Sequence, residues 1–238
     1  MPIPQSFADT RIPRHWAVRG RAGAGKSTFL TALRGPVLII DADQRGRELV
    51  GRGAAVITPI SHAVFENTDP LLIAEVLMRE RQEIARDYKT IAVDSVTSIM
   101  SPAIALAMEG NRRGLNKNKA AAFSVKAQVF RLIQDPIASM GTDVIYIWHE
   151  ETGRDNKGEV ALRQSVPETE RMRIQRSLNA VLVIGRDPAT HQRCIRIEWS
   201  RSGHGRGQAF MDMTGGWVGI PEQIDAALAG APCAEASA

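Results

Sequence analysis

The sequence has little cysteine, no long apolar run and few lysines, and each shortage argues against a class of protein. Its two cysteines, Cys194 and Cys233, lie far apart, which argues against a disulfide framework. His191 and Cys194 have a ligand-like spacing, but no second pair completes a zinc site. No apolar run approaches the about 20 residues of a membrane span, and the first residues lack the apolar core of a secretory signal. We therefore expect a cytoplasmic protein without a membrane partner.

Arginine rather than lysine supplies most of the positive charge. Only six of the 30 basic residues are lysine, and the formal net charge is +4. The planar arginine fork suits phosphate oxygens and aromatic faces, although a GC-rich genome would also enrich arginine, and both explanations stay open. The mild positive charge is compatible with a polyanionic partner without requiring one.

Apolar runs alternate with helical patterns along most of the 238 residues. Strands are predicted at HWAVR, PVLIIDAD, AAVITPI, TIAVD, DVIYIWHEE, AVLVIGR and CIRIEWS. Helices are predicted at 27–34, 71–88, 120–140 and about 169–178. The alternation predicts an α/β fold with a mostly parallel central sheet, helices on both faces and antiparallel strands toward the C-terminal edge. We expect an N-terminal arm over 1–14, one folded domain over 15–224 and a flexible tail over 225–238.

The motif G-x-x-x-x-G-K-[ST] stands between the first strand and the first helix, which is the context that supports a phosphate loop. Glycines let backbone N–H groups approach a polyphosphate closely and adopt unusual dihedral angles. Lys26 is expected to contact the β and γ phosphates of ATP. The predicted nucleotide-binding residues are Gly20, Arg21, Ala22, Gly23, Ala24, Gly25, Lys26, Ser27 and Thr28.

Carboxylates at the ends of predicted strands supply the other expected parts of an ATP site. Mg²⁺ is expected to be bound by the Ser27 hydroxyl and Asp94, with Ser95 holding Asp94 by a hydrogen bond. A helix-capping role is the alternative for Asp94. Asp41 and Asp43 are candidates for positioning the attacking water, and His149-Glu150 reach the same edge of a parallel sheet. His149 could donate to a phosphate oxygen, or serve only as a polar cap.

In order and spacing, these parts resemble the RecA-like ATPase core, and in particular short phage-encoded RecA-like proteins that bind ATP or act as single-strand annealing recombinases. The resemblance covers about residues 16–217, and the phosphate loop is its one highly specific motif. It implies a RecA-like P-loop NTPase fold in which Asp43 stands where the family commonly has a water-activating glutamate. His149 stands where the family commonly has a glutamine sensor. Because aspartate is one methylene shorter than glutamate, slow hydrolysis is expected.

The resemblance also implies DNA-binding loops and an oligomer. Two polar, glycine-containing stretches match the DNA-binding loops of RecA-like filaments and suit a flexible phosphate backbone. Neither loop carries an aromatic side chain for base stacking. Arg201, or alternatively Arg206, is expected to reach the ATP of a neighbouring subunit. The predicted DNA-binding residues are Arg112, Arg113, Lys117 and Lys119 in the first loop and Arg154, Lys157 and Arg163 in the second.

Three functions are compatible with the sequence. The leading hypothesis is an ATPase that binds single-stranded DNA and promotes annealing or homologous recombination as a filament or ring, with a single-stranded-DNA-binding protein as a further candidate partner. The second is a small-molecule P-loop kinase, in which residues 150–166 would form a lid. The third is a nucleotide-regulated scaffold with little turnover, suggested by Asp43.

Overall fold

A computed structural model describes most of the chain as alternating strands and helices. The described residues are 11–43, 45–52, 57–60, 70–112, 119–154, 160–164, 166 and 168–231. The strands are β1 (His15–Gly20), β2 (Val37–Asp41), β3 (Ile57–Ile60), β4 (Thr90–Asp94), β5 (Asp143–Arg154), β6 (Val160–Gln164), β7 (Ala180–Arg186), β8 (Arg193–Ser200) and β9 (Ala209–Met211). The helices are α1 (Lys26–Leu30), α2 (Pro70–Arg79), α3 (Arg81–Asp87), α4 (Val96–Arg112), α5 (Lys119–Ala138), α6 (Glu168–Gln175) and α7 (Ile220–Leu228), and Gly46–Leu49 form a 3₁₀ turn.

The strands form one sheet in the order β3-β2-β4-β5-β1-β7-β8-β9, and β6 pairs with β5 outside this path. The central strands, from β3 to β7, pair in parallel. β8 and β9 are antiparallel and lie at the edge beyond β7. The carboxyl ends of β1, β2, β4 and β5 therefore meet along one edge of the sheet. This arrangement confirms the predicted mostly parallel sheet with antiparallel strands toward the C-terminal edge.

Apolar side chains cover both faces of the sheet. Along β1, Ala17 packs into one core cluster, whereas Trp16 and Val18 pack into the other, as the alternation of a strand requires. The first cluster contains apolar residues of α2 to α6, and the second contains those of α1 and α7. Every residue of β2 and β4 is buried between these layers, which explains their near-continuous apolar sequences.

The helices differ from the prediction in three places. The single helix expected over 71–88 is two helices, because Glu80 has φ −100° and ψ 13° and interrupts the first. α1 ends at Leu30 and is followed by tight turns, in which the N–H groups of Ala32 and Leu33 donate to carbonyls three residues earlier. α4 continues to Arg112 and so takes up the start of the first predicted DNA-binding loop.

The second predicted DNA-binding loop is largely a β-hairpin. β5 continues past Glu151 to Arg154, and β6 returns antiparallel to it, with Glu150 opposite Gln164 and Arg154 opposite Val160. These two strands pair with each other beyond the buried part of the sheet, so their sequences lack the continuous apolar run that would predict them. β9 was not predicted either, because it contributes only three residues to the edge.

The ends of the described chain pack against each other. The buried Arg14 side chain donates to Asp225 of α7 through Nε at 2.9 Å and to Glu222 at 3.0 Å, and Arg11 pairs with Asp143. The part of the predicted tail that runs to Leu228 is therefore helical and anchored. Among the described residues, no helix is both long and apolar enough to cross a membrane.

Candidate functional site

The phosphate loop leaves the carboxyl end of β1, and its glycines fit for separate steric reasons. A Cβ on Gly20 would lie 2.3 Å from the Ile184 carbonyl oxygen of the neighbouring β7, so only glycine allows these strands to pair here. Gly23 and Gly25 have φ of +75° and +98°, a left-handed conformation that favours glycine. The glycines of the motif therefore set the path of the loop.

Lys26 is folded back onto the loop. Its Nζ donates to the carbonyl oxygens of Gly20 at 2.9 Å and Arg21 at 2.8 Å, and the residue is buried. Burial lowers the pKa of Lys26, although the nearby carboxylates of Asp94 and Asp43 partly oppose this shift. The ammonium group thus donates to neutral carbonyl oxygens, whereas the motif predicts that it donates to phosphate oxygens.

The two predicted magnesium ligands lie in contact. Ser27 Oγ, in the first turn of α1, donates to Asp94 Oδ2 at the end of β4 at 2.6 Å. Asp94 is buried, and burial raises the pKa of its carboxyl group to about 6, with the charges of Asp43 and Asp41 adding to the effect. A hydroxyl oxygen beside a desolvated carboxylate is a donor set that suits Mg²⁺, which prefers oxygen ligands. The residues present therefore fit this ion.

Asp43 is held by three side chains. Its Oδ1 accepts hydrogen bonds from Ser98 Oγ and, at 3.1 Å, from Ser95 Oγ, and its Oδ2 lies 3.2 Å from His149 Nε2. Burial alone would raise the pKa of Asp43, but these hydrogen bonds and the nearby imidazole outweigh it and hold that pKa below its usual range. Ser95 was expected to hold Asp94 and instead holds Asp43. The two candidate residues, Asp43 and His149, are thus brought together beside the phosphate loop.

Asp41 has a different role from Asp43. It is buried, and its two carboxylate oxygens accept the backbone N–H groups of Arg45 at 2.9 Å and Gly46 at 2.6 Å. These bonds cap the 3₁₀ turn that follows β2. Of the two strand-end aspartates proposed from the sequence as water-positioning groups, only Asp43 contacts His149.

Sequence reasoning missed two groups that pack against the phosphate loop. Trp217 is fully buried, stacks edge-on against Phe29 of α1, and has its Nε1 3.5 Å from the place of a Cβ on Gly25. Arg193 Nη1, at the start of β8, lies 3.6 Å from the same place. Trp217 follows two glycines, as a turn residue would, and nothing in its spacing links it to a loop about 190 residues earlier. Only the packing of the sheet edge brings it there.

The sequence matches the AAA domain family model over residues 12–208. The chain belongs to the AAA domain family. Two solved structures are similar to it at a distance. A KaiC-like protein from the hyperthermophilic archaeon Pyrococcus horikoshii OT3 has 14% identity over 86% of this chain and 88% of that chain, with a TM-score of 0.47. The RadB recombinase has 16% identity over 84% of this chain and 88% of that chain, with a TM-score of 0.45. Among curated proteins, none matches significantly.

Family membership and the phosphate-loop geometry together confirm the predicted P-loop ATPase fold. Four of the predicted DNA-binding residues lie in the described part of this AAA domain. Arg112 is exposed at the end of α4, while Lys119 begins α5 and Arg154 and Arg163 lie on the β5–β6 hairpin. The remaining three, Arg113, Lys117 and Lys157, lie outside the described residues.

Arg201 does not reach the phosphate loop of its own chain. It follows β8, whose last residue pairs with the first residue of β7, so it lies at the opposite edge of the sheet. There its guanidinium donates to the carbonyl oxygens of Leu178 at 2.9 Å and of Arg176. Arg206 is exposed in the turn after β8. A contact with ATP would have to be made to another subunit and stays a prediction.

Proposed function

We propose that this AAA domain binds and slowly hydrolyses Mg·ATP and uses nucleotide occupancy to control its binding to single-stranded DNA. The proposal includes annealing or homologous recombination of a phage type, carried out by an oligomer. One observation carries it: the phosphate loop, the Ser27–Asp94 pair and the Asp43–His149 pair lie at one edge of the sheet.

ATP binding is supported by Lys26 and Ser27, whose present hydrogen-bond partners can be replaced by phosphate and Mg²⁺. Lys26 bonds two neutral carbonyls, and a phosphate offers it a charged acceptor, which makes stronger hydrogen bonds. Ser27 and Asp94 would hold Mg²⁺, whose charge neutralises charge that develops on the phosphate oxygens. Bringing a cation to Asp94 also favours the ionised form that burial disfavours.

Slow hydrolysis is inferred from the way in which Asp43 is held. A general base must be within reach of the water and have a suitable pKa. Both oxygens of Asp43 already have partners, and its lowered pKa makes it a weak base. Asp43 would orient a water molecule rather than remove its proton fully, and His149 would contact the γ phosphate.

Coupling to DNA is supported by two elements that pass the ATP site and lead to predicted DNA-binding segments. α4 carries Ser98, which holds Asp43, and ends at exposed Arg112. β5 carries His149 and continues into the hairpin. Between them, Glu150 forms an ion pair with Arg19, the residue before the phosphate loop. A change at the γ phosphate can therefore be transmitted to both predicted DNA-binding segments.

The test is ATP hydrolysis with and without single-stranded DNA, on the wild type and on Lys26→Ala. Stimulation by DNA in the wild type, with loss of both turnover and nucleotide-dependent DNA binding in the variant, supports the proposal. The proposal is overturned if nucleotide does not change DNA binding and DNA does not change the rate of ATP hydrolysis.

A nucleotide-regulated scaffold is the second candidate, because the partners of Asp43 leave little room for a base. It predicts that ATP without turnover drives assembly. Lys26→Ala would then abolish assembly although the wild type has no hydrolysis to lose.

A further inference from the structure

A small cavity lies on the sheet face opposite α1, beside the β5–β6 hairpin. Its volume is about 300 Å³, at the lower end of the size of ligand pockets. α6 forms one wall, and strands β5, β7 and β8 form the floor. The lining residues that matter here are Trp148, Gln164, Arg171, Glu198, Trp199 and Arg206.

Two arginines of this cavity have no acidic partner among the described residues. The Nε of Arg171 is buried and has no hydrogen-bond partner within that part of the chain. Arg206 is exposed and forms no ion pair with any described residue. The buried Nε is costly without an acceptor, and because Arg171 lines the cavity, the other N–H groups of its guanidinium can donate to a ligand that brings an anionic oxygen.

The only carboxylate among these lining residues is already paired. Both oxygens of Glu198 accept hydrogen bonds from Arg19, one of them at 2.9 Å. Arg19 in turn also pairs with Glu150. Glu198 is therefore engaged away from Arg171 and Arg206, which remain available for an anion.

The other walls suit a flat ring with polar edges. Trp199 is half-buried and lines the cavity, whereas Trp148 is almost fully buried. Trp148 Nε1 donates to Gln164 Oε1 at 3.1 Å, which fixes the amide of Gln164 at the wall. An indole face beside a fixed amide can stack a nucleobase and hydrogen-bond its edge.

We propose that this cavity binds one nucleobase together with its phosphate, with Trp199 stacking the base and Arg171 contacting the phosphate. The source is a nucleotide of bound single-stranded DNA, and in this respect the inference rests on the proposed function. Gln164 is the last residue of the hairpin that carries Arg154 and Arg163, so this wall of the cavity belongs to a predicted DNA-binding segment. The cavity supplies the aromatic contact that both predicted loops lack.

The experiment measures binding of labelled oligothymidylate and of an abasic oligonucleotide of equal length by fluorescence anisotropy. Trp199→Leu should weaken oligothymidylate binding about tenfold, because stacking is lost, and leave abasic binding unchanged. Arg171→Gln should weaken binding to both. Arg176→Gln removes the same charge from an exposed residue after α6 that does not line the cavity, and should change neither affinity.

Trp199 also packs against the core, so thermal unfolding is measured for each variant. If Trp199→Leu is unstable, quenching of tryptophan fluorescence by oligothymidylate is compared between the wild type and Trp199→Phe. Loss of most of the quenching in Trp199→Phe supports the proposal. Equal quenching, or equal losses on the abasic and the base-bearing strand, overturns it.

Failure of the proposed function gives a separate result. If the wild type binds no oligonucleotide, thymidine monophosphate is titrated with the phosphate loop saturated by Mg·ADP. Saturable quenching that depends on Trp199 then assigns the cavity to a free nucleotide. Absence of quenching overturns the inference. If oligonucleotide binding needs the hairpin but not Trp199 or Arg171, only the cavity proposal fails.

Discussion

Replacing Asp94 by asparagine should stabilise the metal-free and nucleotide-free protein while it weakens Mg·ATP binding. Burial raises the pKa of Asp94 from 3.8 to about 6. The folded state therefore binds more protons than the unfolded state between these values, and this group makes stability fall as pH rises through that range. This rise of about two pKa units corresponds to about 3 kcal/mol of lost folding stability at pH values above 6. The asparagine side chain would keep an oxygen to accept the Ser27 hydrogen bond and would carry no charge.

The assay is urea unfolding of the wild type and Asp94→Asn in chelator, from pH 4 to pH 8. The variant should gain stability relative to the wild type as pH rises, up to about 3 kcal/mol at pH 8, and the difference should vanish near pH 4. Asp41→Asn is the matched control, because an amide can accept only one of the two backbone N–H groups that Asp41 holds, and the change should destabilise the protein. A destabilised Asp94→Asn protein at pH 8, or a gain that does not depend on pH, would refute the reasoning.

Three further predictions concern the loop, the water-positioning group and the neighbouring subunit. Gly20→Ala should cost at least about 1–3 kcal/mol in urea unfolding, because its Cβ meets the Ile184 carbonyl, while Gly185→Ala, which meets no atom within 4 Å, should be nearly neutral. Equal stabilities would contradict the close approach. Asp43→Asn should reduce turnover by about 100-fold or more with little change in ATP affinity by equilibrium titration, and unchanged turnover would remove Asp43 from the reaction. Arg201→Ala should lose turnover and regain part of it on mixing with Lys26→Ala, which supplies an intact Arg201 in trans; no recovery in the mixture would exclude that role.

The sheet and the phosphate loop could be predicted because local sequence determines them. Buried parallel strands require continuous apolar runs, and the dihedral angles of the loop require glycine at Gly23 and Gly25. Asp43, Asp94 and His149 followed from the rule that parallel strands deliver their carboxyl ends to one edge. Their proximity follows from the sheet order, which places β4 between β2 and β5.

The remaining features depend on packing between distant segments. Ser95 contacts Asp43 rather than Asp94, and this choice is made by side-chain geometry after the strand end. Trp217 reaches Gly25 only because the loop after β9 folds over the sheet edge. The β5–β6 hairpin has no apolar run because its strands pair with each other. The hydrophobic periodicity of a single segment cannot predict contacts between residues that are distant in the sequence.

The most direct test of the central claim is the rate of ATP hydrolysis with and without single-stranded DNA, measured on the wild type and on Lys26→Ala. The account predicts slow hydrolysis that DNA accelerates in the wild type, and none above background in the variant. Hydrolysis that persists in Lys26→Ala would contradict it. A wild-type rate that DNA does not change, together with DNA binding that nucleotide does not change, would also contradict it.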